Sequence, residues 1–165
     1  MSASYETGLA TNDDIPVIVA MQDVNLHENG GGLSVRQTAD WFRRTMLEMP
    51  IVVVRRDGVV VGYALATSIA AKSHVGIVQT MLRAFPATPN CYLYGPVCVT
   101  ESERGNGLAA MMYREMRKRL PGRMAMSFVR TDNTASLRAN RKMGKTELGE
   151  FMHDGETYIV FGFTS

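Results

Sequence analysis

The chain has 165 residues, of which 45% are apolar and 21% are charged, and its formal net charge is +2. This length and balance are typical of one globular domain of roughly 100–200 residues, which can bury its own core without disulfides or metals. We therefore expect a single domain over residues 1–165, and a charge so close to zero excludes a strongly basic nucleic-acid-binding protein on totals alone.

Cysteine usage and hydropathy indicate the compartment. Cys91 and Cys98 lie seven residues apart inside one apolar run, which is the spacing of neither a disulfide framework nor a metal site. Residues 1–14 lack the basic segment and apolar core that are typical of a signal peptide, so none is expected there. The longest uncharged apolar stretches, residues 59–71 and 91–100, are shorter than the roughly 20 residues of a membrane span. These features predict a cytoplasmic protein with no metal site and no membrane partner.

The amino-terminal third predicts one strand and two helices. Residues 5–9 form a short first strand. Thr11 or Asn12 caps a helix with acidic residues and a proline in its first turn, and its loose apolar stripe reaches about His27. A glycine-rich break follows. Ser34 then caps a second helix, which ends before a proline.

The middle of the chain reads mainly as strands. Residues 51–56 and 59–68 are β-branched runs joined by Asp57-Gly58, a pair typical of a two-residue hairpin turn. Residues 69–85 are interpreted as a loop followed by a short helix. Residues 91–99 read as a strand that is buried on both faces.

The last third alternates helices and strands. Residues 108–120 carry apolar side chains at an i, i+4 spacing and predict a helix, and residues 123–129 predict a strand. Asn133 caps a further helix that glycine closes, and residues 145–152 and 157–163 form a final hairpin.

The resulting order is βααββ(α)βαβαββ, without an internal repeat or a linker. Strand–helix–strand units in the second half stand beside hairpins in the first and last thirds. This pattern predicts an α/β (α+β) fold class, with a mixed sheet and helices on its faces.

The most informative segment lies between the strand that ends at Val99 and the helix that begins near Leu108. Residues 103–110 read Glu-Arg-Gly-Asn-Gly-Leu-Ala-Ala. A glycine-rich turn at a helix N-terminus presents free backbone N–H groups and the positive end of the helix dipole, which together bind anions. Gly105 and Gly107 permit positive φ angles and close approach of a phosphate. The segment is thus a candidate diphosphate site, although a plain tight connection would use the same residues.

Two classes of cofactor fit such a turn. Residues 105–110 match G-x-G-x-x-A, the dinucleotide-binding pattern, which would predict an oxidoreductase with affinity for NAD(H). However, residues 100–104 separate the pattern from its strand, a long segment precedes it, and the next strand ends in Val129-Arg130-Thr131 without a ribose-binding acid.

The second match covers nearly the whole chain. Residues 104–109 resemble the Gln/Arg-x-x-Gly-x-Gly/Ala acyl-CoA pyrophosphate loop of the Gcn5-related N-acetyltransferase (GNAT) family. Residues 97–99 stand where that family has an apolar strand end, and Asn133 with residues 139–144 resembles its second motif, N-x6-Y-x-K-x-G-F. The resemblance implies a mixed, mostly antiparallel sheet of about six or seven strands with helices on both faces.

The resemblance also implies acetyl-CoA as co-substrate and a set of residues that bind it. Backbone groups of Val97 and Val99 would pair with the pantetheine amides, and an N–H at Val97 or Cys98 would polarise the thioester carbonyl. The N–H groups of residues 105–110 would hold the pyrophosphate, and Asn133 would bind the pantetheine or act as a simple N-cap. The implied cofactor-binding set is Val97, Cys98, Val99, Arg104, Gly105, Asn106, Gly107, Leu108, Ala109, Ala110, Asn133 and Asn140.

The implied chemistry is direct attack of a primary amine on the thioester, but the catalytic groups are unknown. Asn140 occupies the position where the family usually has an acid tyrosine, and asparagine cannot protonate a thiolate. Phe128 stands where some members have a catalytic glutamate. Tyr92, Tyr94, Cys98 and Tyr113 are the nearest titratable side chains, and core packing is the favoured explanation for each. Tyr94 and Cys98 are kept as the candidates for a catalytic role.

Charge adds one indication about partners. Residues 114–145 carry ten basic and two acidic side chains, part of which would face the 3′-phosphate of CoA and part of which is a solvated helix face. We expect an amine of a small molecule or of a peptide as acceptor, no nucleic acid, and a homodimer as an open option. The competing hypothesis is a non-catalytic acyl-CoA-binding or regulatory module on the same fold, since the acid and the glutamate are missing.

Overall fold

The computed structural model describes residues 3–29, 33 and 35–165. In this part of the chain the strands are β1 (Tyr5–Leu9), β2 (Ile51–Arg56), β3 (Val59–Ser68), β4 (Tyr92–Val99), β5 (Met124–Arg130), β6 (Thr146–His153) and β7 (Glu156–Thr164). The α-helices are α1 (Ile15–Asn25), α2 (Ala39–Glu48), α3 (Gly76–Ala84), α4 (Leu108–Arg119) and α5 (Thr134–Lys142). Together they form a mixed α/β fold with a mostly antiparallel sheet, which confirms the predicted fold class.

The described chain divides into two compact units. The first combines residues of the segment 1–66 with residues 95–119. Here β1 and β2 are antiparallel, and Tyr5 lies directly opposite Arg56. β2 and β3 are joined by the predicted hairpin turn, in which Asp57 and Gly58 have φ angles of 48° and 85°. Helices α1 and α2 each pack one apolar face against this sheet, with Ile15, Ile18 and Phe42 fully inaccessible.

Gly62 in β3 marks the closest approach of backbone segments in this unit. A Cβ at this position would lie 3.1 Å from the carbonyl oxygen of Cys98 and 2.9 Å from a methyl carbon of Val54. Thr100 also donates its N–H to the carbonyl of Val61 at 2.8 Å. Glycine is therefore required here for the end of β4 to lie against β3.

The second unit combines residues 67–94 and 120–165. β4 pairs parallel with β5, while β5 pairs antiparallel with β7, and β7 with β6. The predicted final hairpin is present, with its turn at Asp154 and Gly155 at φ angles of 49° and 78°. Helix α3 packs its apolar side chains, including Ile77 and Met81, on this sheet.

One predicted helix start needs correction. Ser34, the predicted N-cap of the second helix, lies outside the described residues, and residues 35–37 are not helical. α2 begins at Ala39, and the Thr38 hydroxyl accepts a hydrogen bond from the Trp41 N–H at 3.1 Å. Serine and threonine both serve as caps, so composition alone could not choose between them.

Candidate functional site

The candidate anion site is the turn between β4 and α4. A short 3₁₀ turn over residues 101–103 follows the strand, and residues 104–107 lead into the helix. Gly105 and Gly107 have φ angles of 84° and 75°. A Cβ added at either position would meet no heavy atom within 4 Å in the described part of the chain, so backbone conformation rather than lack of space requires glycine.

The amino end of α4 offers unpaired donors at this turn. The first backbone bond of the helix runs from the N–H of Met111 to the carbonyl of Gly107 at 3.1 Å. Among the described residues, none accepts a hydrogen bond from the N–H groups of residues 105–110. Unpaired N–H donors at the positive end of a helix dipole suit a phosphate group.

Arg104 does not extend freely into solvent. Its Nε donates to the carbonyl of Val99 at 3.2 Å, and its Nη2 donates to Oδ1 of Asn25 at 3.0 Å. The side chain thereby ties the start of the turn to the end of β4 and to the last residue of α1. Asn106 ties the middle of the turn, because its Nδ2 donates to the carbonyl of Glu103 at 2.9 Å.

The end of β4, just before the turn, offers backbone hydrogen-bonding groups. Pro96 has no N–H, so Val97 and Cys98 are the first residues after Gly95 with a donor. Val97 is 36% exposed, whereas Cys98 is buried. Val97, Cys98, Val99 and residues 104–110 all belong to the first unit.

The environment of Cys98 does not activate a thiol. Its Sγ donates to the Tyr63 hydroxyl at 3.4 Å, and burial raises the pKa of Cys98 to about 11. Burial likewise raises the pKa of Tyr63. A nucleophilic cysteine needs a lowered pKa, usually from a neighbouring cation or helix N-terminus.

The residues of the second motif lie in the second unit. Asn133 caps α5, and its Oδ1 accepts from the Ser136 N–H at 3.2 Å. Asn140 is buried in the same helix, where its Nδ2 donates to the Ser136 carbonyl at 2.8 Å and its Oδ1 accepts from Nζ of Lys145 at 2.7 Å. Both polar atoms of the Asn140 amide are thus engaged within the protein.

Aromatic side chains surround the Lys145 ammonium. Nζ lies 4.6 Å from the centroid of the Tyr94 ring and 5.2 Å from that of Phe163. Burial lowers the pKa of Lys145 to about 8. Phe128 stands at the position where some members of the resembled family have a glutamate. It belongs to a separate aromatic cluster and packs edge-on against Tyr158, with 5.7 Å between the ring centroids.

The structure adds a polar cluster that the motif comparison missed. Glu103 is 6% exposed, and its carboxylate accepts hydrogen bonds from Tyr5 and Arg56. The three residues are far apart in the sequence and belong to no motif. The one sequence signal for Glu103 is its position as an acidic residue directly before the glycine pattern.

The described residues contain neither a metal-binding cluster nor a membrane-spanning helix. No group of three or more His, Cys, Asp or Glu side chains among them could hold a metal ion. No helix in the same residues is both long enough and apolar enough to span a membrane.

Comparison with known proteins gives one family. The model of the acetyltransferase (GNAT) family matches residues 21–144. No curated protein sequence matches the chain.

Solved structures give the same fold at low sequence identity. An N-acetyltransferase from Staphylococcus aureus Mu50 is 19% identical, with a TM-score of 0.72 over 98% of each chain. A ribosomal-protein-alanine N-acetyltransferase from Brucella melitensis is 21% identical, with a TM-score of 0.68 over 97% of this chain and 99% of its own. The protein yncA from Salmonella typhimurium, solved with its cofactor acetyl-CoA, is 16% identical, with a TM-score of 0.70 over 97% and 93% of the two chains.

Proposed function

We propose that this chain, which belongs to the acetyltransferase (GNAT) family, transfers the acetyl group of acetyl-CoA to a primary amine, with residues 1–165 acting as one catalytic domain. The observation that carries the proposal is the turn of residues 104–110. Its backbone N–H groups have no acceptor in the described chain, and its two glycines keep side chains away from them. Such a turn fits the diphosphate of acetyl-CoA.

The reaction needs few groups from the protein. The acceptor nitrogen attacks the thioester carbon, the carbon–sulfur bond breaks, and the nitrogen loses a proton while the thiolate gains one. The backbone N–H of Val97 or Cys98 polarises the thioester oxygen, a contribution of the kind whose removal costs about 10²–10³ in rate. Because Cys98 is buried and its pKa is raised, the acetyl group passes directly to the amine without an acyl-cysteine.

The acceptor is a primary amine on a small molecule or on a peptide. The amine must reach the thioester as the free base, since an ammonium has no lone pair for the attack.

One observation favours a second candidate function, a non-catalytic acyl-CoA-binding module. Asn140, at the position of the family's acid tyrosine, carries no transferable proton, and both ends of its amide are bound to Lys145 and Ser136. A protein that retains the anion site but lacks a proton donor would bind acetyl-CoA without turning it over.

A thiol-release assay separates the two candidates. Purified protein is incubated with acetyl-CoA and a panel of amines that includes amino acids, polyamines, aminoglycosides and peptides with free N-termini. The proposal predicts release of CoA thiol that depends on one class of amine and an acetylated product by mass spectrometry. Binding of acetyl-CoA without amine-dependent thiol release over the whole panel would favour the non-catalytic module.

A further inference from the structure

A buried acid lies immediately before the anion-binding turn. Glu103 is 6% exposed, and its Oε2 accepts a hydrogen bond from the Tyr5 hydroxyl at 2.6 Å, while its Oε1 accepts one from Arg56 Nη1 at 2.5 Å. Tyr5 and Arg56 lie directly opposite each other in the β1–β2 pair. Neighbouring strands thus present one donor each to the two oxygens of a single carboxylate.

The same residue is joined to the turn through its backbone. The Glu103 carbonyl accepts from the Asn106 side chain at 2.9 Å, and Asn106 lies between the two glycines of the turn. On the other side, Arg104 is bound to Val99 and Asn25. Glu103 is therefore the point where the turn, whose glycines give it little stiffness of its own, is attached to the β1–β2 pair.

The charge of Glu103 needs compensation at this place. The hydrogen bonds from Tyr5 and Arg56 lower the pKa of Glu103, so it is a carboxylate at neutral pH. An uncompensated carboxylate beside a diphosphate site would repel the ligand, and the repulsion would be stronger in a partly buried setting than in water. The guanidinium of Arg56 removes this repulsion while it also holds the side chain in place.

We infer that Tyr5, Arg56 and Glu103 are positioning residues for acetyl-CoA, which fix residues 104–110 in the geometry that binds the diphosphate. Arg56 has a second role, because it neutralises the acid at the base of the site. The inference rests on the proposed function, in that the turn is taken as the diphosphate site. None of the three side chains is required to touch the ligand.

The two roles predict an unusual order of affinities. Arg56→Met leaves a buried carboxylate without its cation next to the diphosphate, so it should weaken CoA binding roughly tenfold or more. Glu103→Gln removes the charge but keeps an oxygen that can accept from Tyr5, so its effect should be smaller. The double variant Arg56→Met/Glu103→Gln should bind CoA more tightly than Arg56→Met alone, since the repelling charge is gone.

The test is isothermal titration of the full chain with CoA for the wild type, both single variants and the double variant. Arg55→Met is the matched control, because Arg55 is the neighbouring residue of β2 and forms its ion pair with Asp14 instead. This control should lower thermal stability and leave the dissociation constant of CoA unchanged. Tyr5→Phe, which loses one hydroxyl only, serves if a charge variant does not fold, and it should weaken CoA binding a few-fold.

A merely structural role gives a different pattern. If the cluster only stabilised the fold, the double variant would bind CoA no better than Arg56→Met, and Arg55→Met would weaken binding to the same extent; either result would overturn the inference. Unchanged affinity in Arg56→Met or, where that variant does not fold, in Tyr5→Phe would also overturn it. A wild-type protein that binds no CoA would instead refute the proposed function, so the two failures are distinguishable.

Discussion

The Lys145 ammonium donates a hydrogen bond to the Asn140 side-chain oxygen at 2.7 Å, and both residues are buried. These are the two positions at which the chain departs from the second motif of the family, where the resemblance implies an aromatic residue and a tyrosine. The two departures are therefore coupled. A buried lysine at position 145 needs a hydrogen-bond acceptor, which the Asn140 amide oxygen supplies, whereas an aromatic residue at 145 would need none. A change at either position removes this hydrogen bond from a buried polar group.

The lowered pKa of Lys145 predicts a pH dependence of stability. Its pKa is about 8 in the folded protein and 10.5 for an exposed lysine. Between these values the unfolded chain binds more protons, so this group raises the free energy of unfolding as pH increases from about 8 to 10.5, by at most about 3 kcal/mol. Lys145→Met should lose that rise. Urea unfolding at several pH values measures it, and parallel pH curves for the two proteins would contradict the assignment.

Lys72 must be considered in that experiment. Burial lowers its pKa to about 8 as well. Since Lys72 is present in both proteins, its contribution cancels in the difference between the wild type and Lys145→Met.

Gly107 offers a test of the anion-binding turn with a matched control. Gly107 and Gly122 have φ angles of 75° and 74°, and an added Cβ at either would meet no heavy atom of the described chain within 4 Å. Replacement by alanine should lower the free energy of unfolding of each variant by about 1–2 kcal/mol, since both positions have a left-handed backbone. Only Gly107→Ala should weaken acetyl-CoA binding, because its methyl group and altered backbone disturb the N–H groups. Equal affinities in the two variants would argue against the turn as the diphosphate site.

Cys98 tests whether the acetyl group passes directly to the amine. Because its thiol is buried and its pKa is raised to about 11, Cys98→Ser should retain amine-dependent thiol release within about tenfold of the wild type. Intact mass spectrometry after incubation with acetyl-CoA alone should find no acetylated protein. An acetyl group on Cys98, together with loss of turnover in Cys98→Ser, would instead establish a covalent route. Cys91→Ser controls for loss of a buried thiol elsewhere.

The corrected start of α2 can be tested at Thr38. Its hydroxyl accepts the Trp41 N–H, so Thr38→Ala should lower the free energy of unfolding by about 1 kcal/mol. Thr38→Ser keeps the hydroxyl and should restore most of that stability. Equal unfolding free energies for Thr38→Ala and the wild type would show that this cap contributes nothing.

The fold was largely predictable because its signals are local. Both two-residue turns, Asp57-Gly58 and Asp154-Gly155, adopt the positive φ angles that such pairs favour, and they fix the hairpins on either side. The glycine pattern before α4 likewise predicted the geometry of the turn. The predicted start of α2 was wrong because two hydroxyl residues, Ser34 and Thr38, precede the helix, and composition does not choose between them.

The polar contacts of the site could not be predicted from the sequence. Tyr5, Arg56 and Glu103 meet because β1 and β2 pair in one particular register, and no local pattern encodes that register. The contact between Asn140 and Lys145 spans five residues across the end of a helix, and the motif treats the two positions as independent. Arg104 could be expected near the turn, but its bonds to Val99 and Asn25 depend on where α1 ends.

Isothermal titration of the wild-type protein with acetyl-CoA, with NADH in a parallel titration, tests the central claim most directly. The account predicts that acetyl-CoA binds with a micromolar dissociation constant and that NADH does not bind. Folded protein free of copurified CoA that gives no heat with acetyl-CoA would contradict it, and would leave residues 104–110 as a plain turn between β4 and α4.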